Sequence, residues 1–151
     1  MNEPDESLVP IFGVCRPGQV YVERPGAYAL IADEARRLAV IRNERGRCFL
    51  PGGGIEPGES LELALRREVL EECGRQIDEL AWLCAADEYV EAPEEARCYL
   101  KRGSFYFATL HAQPVVPPED GTELLWLNPA EANLRLVHPS QAWVVRSFWP
   151  R

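Results

Sequence analysis

The chain has 151 residues, enough to bury one sizeable core, and no shift in composition divides it, so residues 1–151 are expected to form a single domain. Its net charge of −8 disfavours a polyanionic nucleic acid as a partner. No apolar run approaches the roughly 20 residues that a membrane span requires. The acidic start lacks the features of a secretory signal. We therefore expect a cytoplasmic protein without a membrane partner, and a flexible N-terminus over residues 1–10.

The cysteines are odd in number and form no C-x-x-C pair, which predicts reduced thiols rather than a disulfide framework. They are Cys15, Cys48, Cys73, Cys84 and Cys98.

The first predicted elements are short strands over residues 28–31, 38–42 and 48–50, where apolar residues cluster between polar loops. The segment PGGGIEPGES, residues 51–60, is predicted to be a loop because it is dense in glycine and proline. Residues 60–73 are rich in strong helix formers. Ser60 is a suitable N-cap and Gly74 a natural stop, so this segment predicts a helix.

Further strands are predicted over residues 80–90, 99–112 and 124–127, and a last helix over residues 140–149. A proline-rich loop separates the sheet segments, at Pro114, Pro117 and Pro118. Strands and helices mixed in this order predict an α/β or α+β sandwich.

The helix over residues 60–73 carries an unusual arrangement of charge. Its apolar stripe consists of Leu65, Val69 and Cys73. Three carboxylates lie beside the stripe rather than opposite it, at Glu68, Glu71 and Glu72. Like charges at i,i+4 cost about 0.2–0.5 kcal/mol, which a divalent cation would remove. Hard cations such as Mg²⁺ prefer oxygen ligands, so the helix predicts a metal site. The alternative is an acidic helix that is simply solvated.

The loop before the helix supplies the rest of the predicted site. Gly52, Gly53 and Gly54 allow the backbone to approach a ligand closely. A backbone carbonyl there is expected to complete a coordination shell. The loop is not a Walker phosphate loop, because Glu59 and Ser60 stand where that motif needs lysine followed by serine or threonine.

Residues 53–75, GGIEPGESLELALRREVLEECGR, resemble the Nudix box, G-x5-E-x7-R-E-U-x-E-E-x-G-U, in which U is a bulky aliphatic residue. Arg75 departs from the pattern at the last aliphatic position, whereas Val69 fills the first. Every fixed position matches, at Gly53, Glu59, Arg67, Glu68, Glu71, Glu72 and Gly74. The resemblance implies an α/β/α sandwich with a mixed sheet. It also implies hydrolysis of a phosphoanhydride bond in a nucleoside di- or triphosphate, or in a nucleoside diphosphate derivative, by water attack at phosphorus.

The resemblance also implies roles for individual residues. The metal, Mg²⁺ with Mn²⁺ as a substitute, would be held by the Gly53 carbonyl and by Glu68, Glu71 and Glu72. Arg67 would orient Glu59 through a charge-assisted pair, with an i,i+4 pair to Glu71 as the alternative. The general base is open between Glu71 and Glu72 within the box. Outside it, Glu123 is where some relatives carry an extra metal-binding acid, in competition with Glu88, Glu91, Glu94 and Glu95.

Arg42 lies where relatives often direct a basic side chain towards phosphate, with nearby alternatives at Arg37, Arg45 and Arg47. Several aromatic side chains are candidates for stacking on a base, although sheet alternation predicts that most are core: Phe105, Tyr106, Phe107 and Trp126. His111 and His138 are isolated in the sequence and receive no predicted chemistry.

Two functional interpretations follow from the box. The first is a hydrolase acting on a small nucleotide-type substrate, as a possible homodimer like many relatives. The second is a Nudix-type module that binds a nucleotide or a protein without hydrolysis. Nucleoside triphosphates, nucleoside diphosphates and nucleotide sugars stay open as substrates, because Tyr89 and Pro93 do not match subgroup-specific positions convincingly.

Overall fold

The structure is a computed structural model that describes residues 8–149, so most of the N-terminus predicted to be flexible lies outside the described residues. The strands are β1 (Ile11–Phe12), β2 (Val22–Ile31), β3 (Leu38–Arg42), β4 (Cys48–Phe49), β5 (Gly52–Gly54), β6 (Ile77–Ala92), β7 (Arg97–Leu110) and β8 (Glu123–Leu127). The helices are α1 (Leu61–Cys73), α2 (Pro129–Arg135) and α3 (Pro139–Phe148), with a short 3₁₀ turn at Pro93–Glu95.

The strands form two sheets. The larger sheet has the order β1-β6-β7-β2-β5 and is mixed, because β7 runs parallel to β2 and antiparallel to β6. The smaller sheet has the order β4-β3-β8 and is antiparallel. Strand β5 lies at one edge of the larger sheet, next to β2. This edge is where the chain enters α1.

Helix α1 forms where the sequence predicts it. The Ser60 side chain accepts a hydrogen bond from the Leu63 amide at 3.2 Å and so caps the N-terminus. Gly74 ends the helix in the left-handed conformation, with φ of 70°. A side chain at Gly74 would also collide with the Val116 carbonyl oxygen, 2.2 Å from the Cβ position. The predicted apolar stripe is confirmed, since Leu65, Val69 and Cys73 are all buried.

Alternation along β2 separates two hydrophobic clusters. One face packs against α1, through Ala27, Ala29 and Ile31. The opposite face, with Tyr28 and Leu30, joins a cluster that contains residues of α2 and α3. Helices therefore cover both sides of the sheet layer, which confirms the predicted α/β sandwich with a mixed sheet.

The prediction of a featureless loop over residues 51–60 is wrong at its start. Gly52–Gly54 forms strand β5, paired antiparallel with β2 at Gly26, Ala27 and Tyr28. Glycine is required in this strand because a Cβ on Gly52, whose φ is +136°, would lie 2.1 Å from the Ala27 carbonyl oxygen. Close approach of two backbones thus favours the residue type that usually argues against a strand.

Besides β5, a strand and a helix were not predicted. Strand β1 pairs with β6 over only two residues. Helix α2 begins at Pro129, and the Asn128 side chain accepts a hydrogen bond from the Glu131 amide at 2.8 Å. That cap followed by proline at the first helical position was a readable start signal. Among residues 8–149, no helix has the length and apolar composition needed to cross a membrane.

Candidate active site

Arg67 joins the glycine-rich segment to helix α1. Its guanidinium donates two hydrogen bonds to the Glu59 carboxylate, at 2.8 and 2.9 Å. It also donates to Glu68 at 3.0 Å and to the Gly54 carbonyl oxygen at 3.2 Å. Hydrogen bonds from Arg67 lower the pKa of Glu59 to about 2, so Glu59 stays ionised. The predicted contact between Arg67 and Glu59 is confirmed, and the i,i+4 approach to Glu71 at 3.5 Å is longer.

Glu72 is the most enclosed carboxylate of the box. Its Oε1 accepts a hydrogen bond from the Gly52 amide at 2.8 Å, which ties the helix to strand β5. Burial raises the pKa of Glu72 to about 8, against the lowering effect of the Gly52 amide. The nearby carboxylates of Glu68, Glu71 and Glu119 contribute to this raised pKa. The ionised form of Glu72 therefore lacks a compensating positive charge.

Glu119 is an acid of this site that the sequence did not single out. Its backbone amide donates to the Glu71 carbonyl oxygen at 2.8 Å, near the end of α1. The same loop is held to the helix by the Val115 amide, which donates to the Gly74 carbonyl oxygen at 2.8 Å. The negative charge of Glu119 contributes to the raised pKa values of Glu68 and Glu72. A proline-rich loop distant in sequence thus adds a carboxylate to the box.

Gly53 leaves room for the Glu68 side chain. A Cβ at Gly53 would lie 2.7 Å from the carboxyl carbon and from one oxygen of Glu68. The pKa of Glu68 is raised by burial, and the charges of Glu71 and Glu119 add to this effect, while Arg67 lowers it. The partly buried Glu68 carboxylate therefore packs directly against the backbone of Gly53.

The Gly53 carbonyl, which the sequence predicted as a metal ligand, points towards strand β2. Gly53 is the register partner of Ala27, and its carbonyl oxygen lies against β2, 2.9 Å from the Cβ position of Gly26. Ladder alternation turns the peptide groups of Gly52 and Gly54 towards the open edge instead. The hydrogen bonds from the Gly52 amide to Glu72 and from Arg67 to the Gly54 carbonyl agree with that alternation.

These residues fit a divalent cation by their chemistry. Glu68 and Glu72 are carboxylates with raised pKa values, and Glu71 and Glu119 add further negative charge beside them. Oxygen-rich, negatively charged sites of this kind suit hard cations such as Mg²⁺. Among residues 8–149, no three acidic, imidazole or thiol groups converge on one point in the present side-chain conformations. In these conformations Glu68 accepts a hydrogen bond from Arg67, and Glu72 accepts one from the Gly52 amide.

Arg42 and Glu123 contact each other, and neither forms a hydrogen bond or ion pair with a box residue among residues 8–149. They are register partners on β3 and β8, and their side chains form an ion pair. Both line a depression beside the loop at Asn43 and Glu44. The predicted roles of Arg42 in phosphate binding and of Glu123 in metal binding stay predictions.

A cavity of about 400 Å³ adjoins the box at strand β5 and Glu72. Its wall includes aromatic rings, cations and a histidine from four separate parts of the chain: Arg24, Tyr28, Phe49, Tyr99, Lys101 and His138. The Arg24 guanidinium lies 5.0 Å from the centre of the Tyr99 ring, and the Lys101 ammonium lies 5.3 Å from that of Tyr28. Such a wall can receive a ring and an anionic group together.

The sequence did not identify these wall residues. The aromatic residues that the sequence suggested for base stacking lie elsewhere. Phe105 and Tyr106 are buried, one in each of the two hydrophobic clusters. Phe107 and Trp126 pack partly buried against them. Only the contiguous box could be recognised from spacing, because the wall residues come together through the sheet.

Comparison with known proteins identifies the family. The NUDIX domain matches this chain over residues 22–148, which is most of its length. The chain therefore belongs to the NUDIX domain family.

The chain is also similar to proteins named nucleoside triphosphatase NudI. The one from Escherichia coli O1:K1 / APEC is 59% identical over 58 residues, which is 37% of this chain and 37% of that protein. The one from Salmonella schwarzengrund is 62% identical over 32 residues, covering 21% of this chain and 23% of its own. The matched segments thus span less than two fifths of these relatives.

Solved structures share the fold. A NUDIX hydrolase from Nitrosomonas europaea has a TM-score of 0.64 at 20% identity, covering 82% of this chain and 86% of its own. The E. coli dihydroneopterin triphosphate pyrophosphohydrolase has a TM-score of 0.65 at 17% identity, covering 87% and 98%. At these identities the likeness concerns the fold alone.

Proposed function

We propose that this protein is a metal-dependent hydrolase that cleaves a phosphoanhydride bond of a nucleoside triphosphate by water attack at phosphorus. The observation that carries the proposal is the group of carboxylates on α1 beside the cavity at β5. Glu72 belongs to both, since it is a box residue and also lines the cavity. A substrate in the cavity would therefore lie next to the acidic group.

The chain's own residues have distinct roles in this proposal. Glu68, Glu71 and Glu72 hold Mg²⁺, and Mn²⁺ can replace it. Because the Gly53 carbonyl lies against β2, we assign the backbone ligand to Gly52. The cation supplies charge neutralisation, Lewis acidity and activation of the attacking water.

Arg67 acts as a positioning residue in the same scheme. Its four hydrogen bonds fix Glu59, Glu68 and the Gly54 carbonyl relative to one another. The base that takes the proton of the water is one of Glu71, Glu72 and Glu119. All three lie near Glu68. Individual replacement by glutamine distinguishes among them when Mn²⁺ affinity is measured beside turnover, because loss of the base lowers turnover at unchanged metal affinity.

The triphosphate is favoured over the other substrates by the NudI relatives, which are named nucleoside triphosphatases. Nucleoside diphosphates and nucleotide sugars belong in the same test. The panel should contain ribo- and deoxyribonucleoside triphosphates, nucleoside diphosphates and nucleotide sugars, with Mg²⁺ or Mn²⁺. The measurement is release of phosphate or pyrophosphate by purified protein.

Two variants sharpen this test. Glu72→Gln removes the charge of the enclosed carboxylate and is expected to abolish most turnover. Glu62→Gln removes a charge from the exposed first turn of the same helix and is expected to keep it. Equal activity of Glu72→Gln and wild type would contradict the proposal. Tight nucleotide binding without any product in long incubations would instead identify a non-catalytic sensor.

A further inference from the structure

Lys101 is the only lysine in a chain whose other basic residues, apart from two histidines, are all arginines. It lies on β7 as the register partner of Arg24 on β2, and both side chains line the cavity beside the box. The Lys101 ammonium lies 5.3 Å from the centre of the Tyr28 ring. Within residues 8–149, no carboxylate forms an ion pair with it. The cavity thus contains a cation whose charge is not neutralised by an ion pair.

A buried carboxylate–imidazole pair lies beside this lysine. Glu88 on β6 and His138 before α3 are both more than nine-tenths buried. His138 Nδ1 lies 2.6 Å from Glu88 Oε2, and the Ser140 amide donates to Glu88 Oε1 at 2.9 Å. Burial alone raises the pKa of Glu88, but the hydrogen bonds from His138 and Ser140 lower it overall. An ionised Glu88 therefore accepts from Nδ1–H.

The orientation of the His138 ring determines which ring nitrogen lies next to the Lys101 ammonium. His138 Nε2 lies 3.5 Å from the Lys101 ammonium. An ammonium can only donate, so Nε2 must offer its lone pair, and the proton stays on Nδ1. The Glu88–His138 pair thus fixes one ring orientation and one tautomer, and the acceptor that it presents holds the lysine over Tyr28.

We propose that Lys101 binds a phosphate oxygen of the substrate's phosphate chain and that His138, oriented by Glu88, positions its ammonium. This inference rests on the proposed function for the identity of the substrate. Lysine binds phosphate as a compact point charge, and such a charge needs a fixed position because its stem is flexible. The Tyr28 ring and His138 Nε2 both lie close to the ammonium and provide that position.

The kinetic test compares Lys101→Met with Lys101→Arg and with Arg135→Met. The last removes a positive charge from the C-terminal end of α2, which does not line the cavity, and serves as the matched control. For Lys101→Met we expect KM for a nucleoside triphosphate to rise about 10- to 100-fold, as for loss of a charged hydrogen bond, with kcat little changed. Lys101→Arg should recover part of the loss. The control should behave as wild type.

His138→Asn tests the positioning role. Asparagine can still donate to Glu88 but offers no acceptor in the place of Nε2. We expect a rise in KM that is smaller than that of Lys101→Met. In the Lys101→Met background the same substitution should add nothing further, because its effect passes through the lysine. Additive effects of the two substitutions would overturn the positioning role.

A binding experiment separates this inference from the proposed function. Reductive ¹³C-methylation labels the single lysine and the N-terminal amine, and Lys101→Arg identifies the lysine resonance. Inorganic tripolyphosphate and a methylene-bridged nucleoside triphosphate should shift that resonance, whereas a free nucleoside should not. Nucleoside affinity should also be equal in wild type and Lys101→Met.

The outcomes are distinct. Absence of turnover in wild type, together with phosphate-dependent shifts of the lysine signal, would contradict the hydrolase proposal and support this inference. Turnover with an unchanged KM in Lys101→Met would do the reverse. A lysine signal that responds to the nucleoside alone would assign Lys101 to the base or sugar and overturn its role in phosphate binding.

Discussion

Gly53→Ala should separate metal binding from folding. The Cβ of alanine would lie 2.7 Å from the Glu68 carboxyl carbon, whereas an ordinary carbon contact is roughly 3.5 Å. The carboxylate must therefore withdraw by ~0.8 Å, which it can do because it is the end of a flexible side chain. Displacement of about 1 Å in a site, or loss of its support, costs about 10- to 100-fold in affinity or rate.

Folding should be little affected by this substitution. Gly53 does not have the left-handed backbone that excludes alanine. Replacement of glycine at a compatible position stabilises by about 0.4–1 kcal/mol through the unfolded chain, which offsets part of the cost of moving Glu68. The free energy of unfolding should stay within about 1 kcal/mol of wild type, measured by urea denaturation.

The assay is Mn²⁺ binding by electron paramagnetic resonance, with activity on a nucleoside triphosphate measured alongside. Gly54→Ala is the matched control, since its Cβ would approach Arg24 at 3.3 Å rather than Glu68. We expect Mn²⁺ affinity to fall about 10- to 100-fold in Gly53→Ala and to stay near wild type in Gly54→Ala. If Gly53→Ala binds Mn²⁺ with wild-type affinity, close contact between Glu68 and this glycine is not required for metal binding, and the reasoning is refuted.

Three further outcomes follow from the same contacts. Gly52→Ala should lower the free energy of unfolding in urea by more than about 2 kcal/mol, because it adds backbone strain to a collision with β2. Mg²⁺ at 100 times its Kd should stabilise wild type by about 2.7 kcal/mol, raising Tm by about 5–11 °C in calorimetry. An equal gain in Glu72→Gln would count against the ligand set. Since the pKa of Glu88 is lowered by folding, its stabilisation is present above its unfolded pKa of about 4.3 and is lost as pH falls through the folded pKa. Glu88→Gln should therefore show a shallower loss of stability in acid, and an unchanged slope would speak against an ionised Glu88.

Local features of the sequence predict helix α1 and its buried stripe well. Capping by Ser60, the stop at Gly74 and the helical spacing of apolar residues are all properties of one continuous segment. The predicted contact between Arg67 and Glu59 also lies within the box. The strand β5 was missed because glycine there serves close approach to β2, which depends on a partner strand that spacing cannot show.

The residues of the site that lie far from the box in sequence could not be predicted from local patterns. Glu119 reaches the box through hydrogen bonds of its loop to the end of α1. Lys101 and His138 meet only because β7 and the start of α3 face the same cavity. Neither histidine has a sequence neighbour that suggests a role, and the Glu88 partner of His138 is fifty residues away. Tertiary contacts decide these placements.

Hydrolysis in ¹⁸O-labelled water, followed by ³¹P NMR of the products, tests most directly whether this chain cleaves phosphoanhydrides through its acidic box. With Mg²⁺ and a nucleoside triphosphate, we expect one phosphorus product to carry ¹⁸O in wild type and in Glu62→Gln. Glu72→Gln should form little or none. Label incorporation that persists in Glu72→Gln, or the absence of product from every substrate class in wild type, would contradict this function.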